Sequence, residues 1–158
     1  MIERPTVHHG SGITTLIGVL SAIYAATFFL GALLHLGVEV PLGLEVPLGL
    51  AVLDEPRILP ATIVEGLCGL ALAVAALAVF ARVNRAWTFA LTAHTFALGG
   101  VLLGITALAV GAGPSTELNT IYHRVIVVAL VAVLALLLSP AGRTALRRTT
   151  SPTVIQSG

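Results

Sequence analysis

Six side chains able to move a proton, hold a metal or carry a charge fall within or at the edge of long apolar stretches of this sequence: His35, Glu65, Cys68, His94, His123 and Arg124. Ionisable groups at membrane depth are expensive, so each is a candidate site. Glu65 and Cys68 are three apart, which puts them on one face if their segment is helical. His35, Glu65 and His123, with Cys68 close by, are a ligand set that a divalent transition metal accepts. Two facing histidines, His35 and His123, could instead hold a haem iron. The alternative chemistry is structural. Glu65 is the only acid inside an apolar run, and Arg124 could neutralise it as a buried ion pair. Arg124 could also extend along its stem to water. His94 stands beside Thr92 and Thr95, as expected of an imidazole that hydrogen-bonds to a neighbouring helix.

The elements that must position these groups follow from composition. Of 158 residues, 57% are hydrophobic and only 9% charged, with a mean hydropathy of +1.04. Soluble domains carry about 25% charged residues, so a bilayer is the expected solvent. Net charge is +1, which offers no footprint for nucleic acid. The single cysteine, Cys68, excludes an intrachain disulfide and a cysteine-only metal site. The chain contains no lysine; all eight basic residues are arginine.

Crossing the hydrocarbon core takes roughly 20 apolar helical residues. Four runs qualify: 13–36, 60–81, 86–110 and 118–138. Pro60 suits a first helical turn, where a missing N–H costs nothing. Gly111, Gly113 and Pro114 stop the third run, and Ser115 or Thr116 can cap the fourth. Ser139-Pro140 ends it. The four-residue link Arg82–Arg85 makes the second and third runs an antiparallel hairpin. The expected fold is therefore an all-α, polytopic four-helix bundle. Residues 1–12 form a polar lead, and 143–158 read as a disordered tail.

Arginine placement orients it. Arg4, Arg82, Arg85, Arg143, Arg147 and Arg148 share one side of a four-span chain, which the positive-inside rule makes cytoplasmic. Loops 37–59 and 111–117 are then extracytoplasmic. At ~1.5 Å rise per residue, Glu65 lies about 7–8 Å inward from Pro60 and His123 about 7 Å inward from Leu118. With His35 at the end of the first run, the three occupy one outer layer on three helices. His94 belongs to a deeper layer. Gly100 and Gly104 form a G-x-x-x-G, and Gly66 and Gly69 thin the second run; such residues let helix backbones approach closely.

The outer loop repeats itself: residues 39–50 read EVPLGLEVPLGL. A proline every six residues cannot continue a spanning helix. Its valines and leucines are expected to fold back over the bundle mouth or lie in the interface, with Glu39, Glu45, Asp54 and Glu55 facing water.

No G-x-S-x-G, H-E-x-x-H, P-loop or dinucleotide fingerprint is present. The stretch IVEGLCGLALAVAALAVFARVNRAWTFALTAH, residues 63–94, resembles the central hairpin of the DoxX-like family of small four-helix bacterial membrane proteins. Glu65, Gly66 and Gly69 stand where that family opens its second helix, and Arg82 and Arg85 where it has a basic turn. The resemblance implies an accessory role in a membrane-bound oxidoreductase complex handling quinones, thiols or sulfur compounds. Three functions are thus in view. One is an accessory or interaction protein docking on other membrane subunits or on itself. Another is a haem- or metal-binding redox protein. The third is a transporter or proton relay.

Overall fold

The computed structural model describes residues 9–41, 52–53, 55–114 and 116–147. Four long helices dominate: α1 (His9–Leu36), α2 (Leu59–Phe80), α3 (Ala86–Ala109) and α4 (Glu117–Leu138), followed by a short α5 (Pro140–Leu146). All four long helices are long and apolar enough to cross a membrane. Their outward faces carry large apolar side chains such as Leu77, Leu103 and Val128.

The helix ends obey local chemistry. α1 stops at Gly37, whose φ of +91° only glycine adopts freely. Gly37 N–H donates to the Leu34 carbonyl and Val38 N–H to the Leu33 carbonyl, the paired bonds of a Schellman stop. α3 ends the same way at Gly111, where Gly111 N–H meets Leu108 and Ala112 N–H meets Ala107. α2 repeats the motif without a glycine: Arg82 takes φ +52°, with Arg82 N–H on Val79 and Val83 N–H on Ala78. Thr116 caps α4 by accepting from Asn119 N–H at 3.0 Å. Ser139 caps α5, accepting from Gly142 N–H at 3.1 Å, with Pro140 opening the helix.

α5 corrects one expectation. Residues 143–146 are helical rather than disordered, and Leu146 is buried among Ile17, Val79, Val133 and Leu137. Thr14 of α1 donates to the Ala145 carbonyl at 3.1 Å, tying the first helix to the last. The remainder of the expected tail, 148–158, lies outside the described residues, as do residues 1–8 of the lead.

Two packed clusters run along the bundle axis. One, around Phe28, Cys68, Leu72, Ala97 and Leu130, draws on all four long helices. The other, around Ile17, Val79, Ala90, Val133 and Leu137, lies toward the end that holds Trp87 and α5. Trp87 donates from its indole N–H to the Leu137 carbonyl at 2.9 Å. The Arg147 guanidinium lies 4.4 Å from the Trp87 ring centroid and that of Arg143 5.9 Å. Both ends of the described chain and the α2–α3 link meet at this Trp87 end. The opposite, His35 end is formed where α1 stops and α2 and α4 begin.

Between α1 and α2, residues Val40–Pro41 pair antiparallel with Val52–Leu53. This brings the two ends of the duplicated segment together. Most of the repeat, 42–50, lies outside the described residues, as do Ala51 and Asp54, so the expected exposure of Glu45 and Asp54 falls outside them too. The return segment 55–58 lies against the end of α1: Ile58 N–H donates to the His35 carbonyl at 3.0 Å.

Candidate functional site

His35 is placed by the last turn of α1 and fixed from the return segment. Its Nδ1–H donates to the Pro56 carbonyl at 3.3 Å. That bond turns Nε2 toward α2, where it lies 3.9 Å from Glu65 Oε1. Both groups are buried. A proton on either group would turn this approach into an attraction.

Glu65 reaches this position because α1 is thinned opposite it. A Cβ on Gly31 would stand 2.6 Å from Glu65 Oε2. That oxygen is buried and accepts no hydrogen bond. The expected pair with Arg124 does not form. Arg124 lies on the exposed face of α4, and among the described residues Glu65 has His35 as its ionic neighbour. The physical reason is helical phase. His123 points inward, and the next residue turns about 100° away.

His123 is buried one turn after Asn119, and its Nδ1–H donates to the Asn119 carbonyl at 2.8 Å. This commits Nδ1 and turns Nε2 toward α3. There Gly104 makes room: a Cβ on it would meet Nε2 at 2.9 Å. Gly100 does the same for Cys68 of α2, with Cβ to Sγ at 2.8 Å, and Gly69 for Phe29 of α1 at 3.0 Å. Gly100 and Gly104 therefore serve packing within the chain rather than docking of a partner. Gly66 does not fit the packing role, since a Cβ there meets nothing within 4 Å.

His35, Glu65 and His123 converge on one cavity of about 240 Å3. Its walls are almost wholly apolar, with Phe28 from α1, Ile58 from the return segment, Val64 from α2, and Val101, Leu103 and Ala107 from α3. Asn119 completes the polar edge. A second chamber of about 130 Å3 shares His35, Glu65 and Asn119 and adds Thr27, Leu30, Gly31, Leu34, Glu55, Leu118 and Tyr122. Glu65 thus lies in the wall between two spaces.

Glu55 overturns its expected place. It does not face water but is buried, and Thr116 donates its hydroxyl hydrogen to Glu55 Oε1 at 2.6 Å. Its Oε2 has no partner, and neither has the buried Tyr122 hydroxyl. Glu39, by contrast, is exposed as expected.

The metal expectation is not met by this geometry. Among the described residues, no three of the histidine, cysteine and acidic side chains are close enough to hold an ion. Cys68 is fully buried in the core beside Leu72 and Ala97 and lines neither space. A haem between His35 and His123 meets a size limit. A cavity of about 150 Å3 accepts benzene, so the larger space takes about nine or ten non-hydrogen atoms, fewer than half a porphyrin ring.

His94 lies apart, as its depth implied. It is fully buried, and its Nδ1–H donates to the Ala90 carbonyl of its own helix at 2.8 Å rather than to a neighbour. Its Nε2 has no partner, and its ring meets Tyr24 edge-on at 6.1 Å.

Asn119 is the site residue with a legible but unread signal, since it stands four residues before His123 on the same helical face. Glu55 and Tyr122 carried none. Glu55 lies in a loop without periodicity, and Tyr122 reads as an interfacial aromatic. No family model matches the chain, and no characterised protein or solved structure is significantly similar to it.

Proposed function

We propose that this is a small multi-pass membrane protein acting as an accessory subunit of a membrane complex, and that it holds a small apolar ligand in the cavity at its His35 end. The cavity carries this reading. An apolar pocket with a few convergent polar groups is the usual form of a small-molecule site. Here the polar edge consists of His123 Nε2, Asn119 and the His35–Glu65 pair, which can offer both a proton and an acceptor. The best-fitting ligand is a single substituted ring or short chain with a polar group at one end.

Further support comes from the surface and the sequence. Large apolar side chains cover the outward faces of all four long helices, suited to lipid and to other membrane subunits. The resemblance of residues 63–94 to the DoxX-like hairpin points to an oxidoreductase complex. By the positive-inside rule, the arginines at the Trp87 end favour a cytoplasmic placement of that end, with the cavity toward the other side.

The test is purification of the full chain from membranes in mild detergent. Co-purifying subunits are identified, the sample is solvent-extracted for mass spectrometry, and absorbance and metal content are recorded. The expected result is a stoichiometric small molecule and at least one membrane partner, without a haem band. A partner-free and ligand-free chain overturns the proposal.

A further inference from the structure

The larger cavity reaches the side of the bundle, along the seam between α2 and α3. The seam is tight at Gly100, where a Cβ would stand 3.1 Å from Val64 Cγ1 and 2.8 Å from Cys68 Sγ. At the bundle end Ile58 lies over Gly113, with its Cδ1 3.7 Å from where a Cβ would be. Between these two contacts the cavity is lined by Pro60 and Ala61 of α2 and by Leu103 and Ala107 of α3. Pro60 is exposed and Leu103 is 60% exposed, so the lining there continues onto the outer surface of the bundle. From Val64 to Ile58 the seam runs about 9 Å, at ~1.5 Å per residue.

We propose that the ligand of this cavity is a single-chain amphiphile that enters from the membrane through the α2–α3 seam, its hydroxyl-bearing ring inside and its alkyl chain left in the lipid. The inference rests on the reading of this cavity as a small-molecule site in a membrane protein. Volume extends that reading. The cavity takes about nine or ten non-hydrogen atoms, enough for a ring and its hydroxyl but not for a long chain as well. The seam lets the chain continue outward. It lies between two helices long and apolar enough to cross a membrane, so a chain leaving between Ala61 and Ala107 meets lipid.

The inner wall selects the head. His123 Nε2 and the Asn119 side-chain amide make no hydrogen bond among the described residues, and neither is sealed off as Glu65 Oε2 is. An amide presents a donor and an acceptor, and a hydroxyl answers both. An anionic head would stand beside the Glu65 carboxyl in the same wall. Charge is also costly to carry through hydrocarbon, so an uncharged head suits a route from the bilayer.

The experiment uses the purified full chain in phosphatidylcholine nanodiscs, with 4-ethylphenol and 4-octylphenol as probes and protein-free nanodiscs as baseline. Ethylphenol fits wholly inside the cavity, whereas octylphenol fits only if its chain can leave. Calorimetry is expected to show one saturable site for each, with ethylphenol displacing octylphenol. Asn119→Leu is expected to weaken both about tenfold through the lost hydrogen bonds. Ala107→Phe, which narrows the seam, is expected to weaken octylphenol at least tenfold and to spare ethylphenol. Ala112→Phe, at the bundle end, is expected to leave both unchanged. Binding of ethylphenol without octylphenol makes the cavity closed: this inference falls and the small ligand proposed above stands. If neither binds saturably, both fall. Loss of octylphenol in Ala112→Phe but not in Ala107→Phe puts the chain at the bundle end and also overturns the inference. If Ala107→Phe does not fold or loses both probes, the comparison of the two probes on the unaltered chain decides alone.

Discussion

The two ends of the bundle are built from different residues and closed in different ways. At the Trp87 end, α5 folds over the helix termini. Trp87 donates to Leu137, two arginines lie against its ring, and Thr14 holds Ala145. At the His35 end no helix among the described residues closes the bundle, and the return segment 55–58 covers the mouth. Of the four buried side-chain atoms without partners among the described residues, three lie there and none lies at the Trp87 end. Both cavities lie there too. Open cavities and unmet polar atoms cost stability, and proteins keep such features mainly where a ligand needs them. Among the described residues the Trp87 end is the closed one, and the His35 end is the one proposed to bind a ligand.

The sharpest way to break this contrast is Trp87→Ala. It removes the indole donor and the surface under both guanidinium groups. Because Trp87 is half-buried, a loss of about 2–3 kcal/mol is expected, below the about 3–5 of a core aromatic, while binding at the far end persists. Equilibrium unfolding in detergent measures it; a negligible loss would deny the Trp87 end its anchoring role.

Glu65→Gln probes the other end. It keeps the shape and removes a buried charge that holds only a 3.9 Å imidazole contact. Stability is expected to hold or rise by about 1 kcal/mol, with binding of small molecules lost. A loss of about 3 kcal/mol instead would make Glu65 a structural keystone, since that is the cost of breaking a strong buried pair.

Arg82→Gly returns to the Trp87 end. Arg82 sits in the left-handed region that costs a side-chain-bearing residue roughly 1 kcal/mol, so glycine is expected to raise the unfolding free energy by about that much. No gain would mean that Arg82 makes a compensating interaction. The smallest effect belongs to Arg124→Gln, expected to leave stability and binding unchanged in the same assays. A measurable drop would restore the Glu65–Arg124 pairing that the helical phase of α4 argues against.

Much of the framework was legible in the residues. Four apolar runs of spanning length became four helices with nearly the expected bounds, because run length and capping chemistry act locally. Pro60, Gly111 and Thr116 each did what their backbone chemistry dictates. The shared depth of His35, Glu65 and His123 was also readable, because the rise of a helix converts residue number into distance. Residues 143–146 at the start of the expected tail are helical instead because α5, only seven residues long and too short to announce itself by periodicity, is held by contact with α1 and α4.

Depth does not give azimuth, and there the sequence by itself ran out. The order of residues determined a membrane-compatible all-α chain, its four long helices and which ionisable groups share a layer. Only the tertiary structure decided which of those groups face one another. It turned His123 inward and Arg124 outward on adjacent positions, sent Cys68 into the core, and set Gly31 and Gly104 against the two groups that needed room. It also brought Glu55 from an aperiodic loop into contact with Thr116, 61 residues away in sequence. The physical reason is that helix formation is governed by neighbours along the chain, whereas rotation about the helix axis is governed by packing between helices. The acids, imidazoles and glycines acquire a common purpose only when that rotation is known.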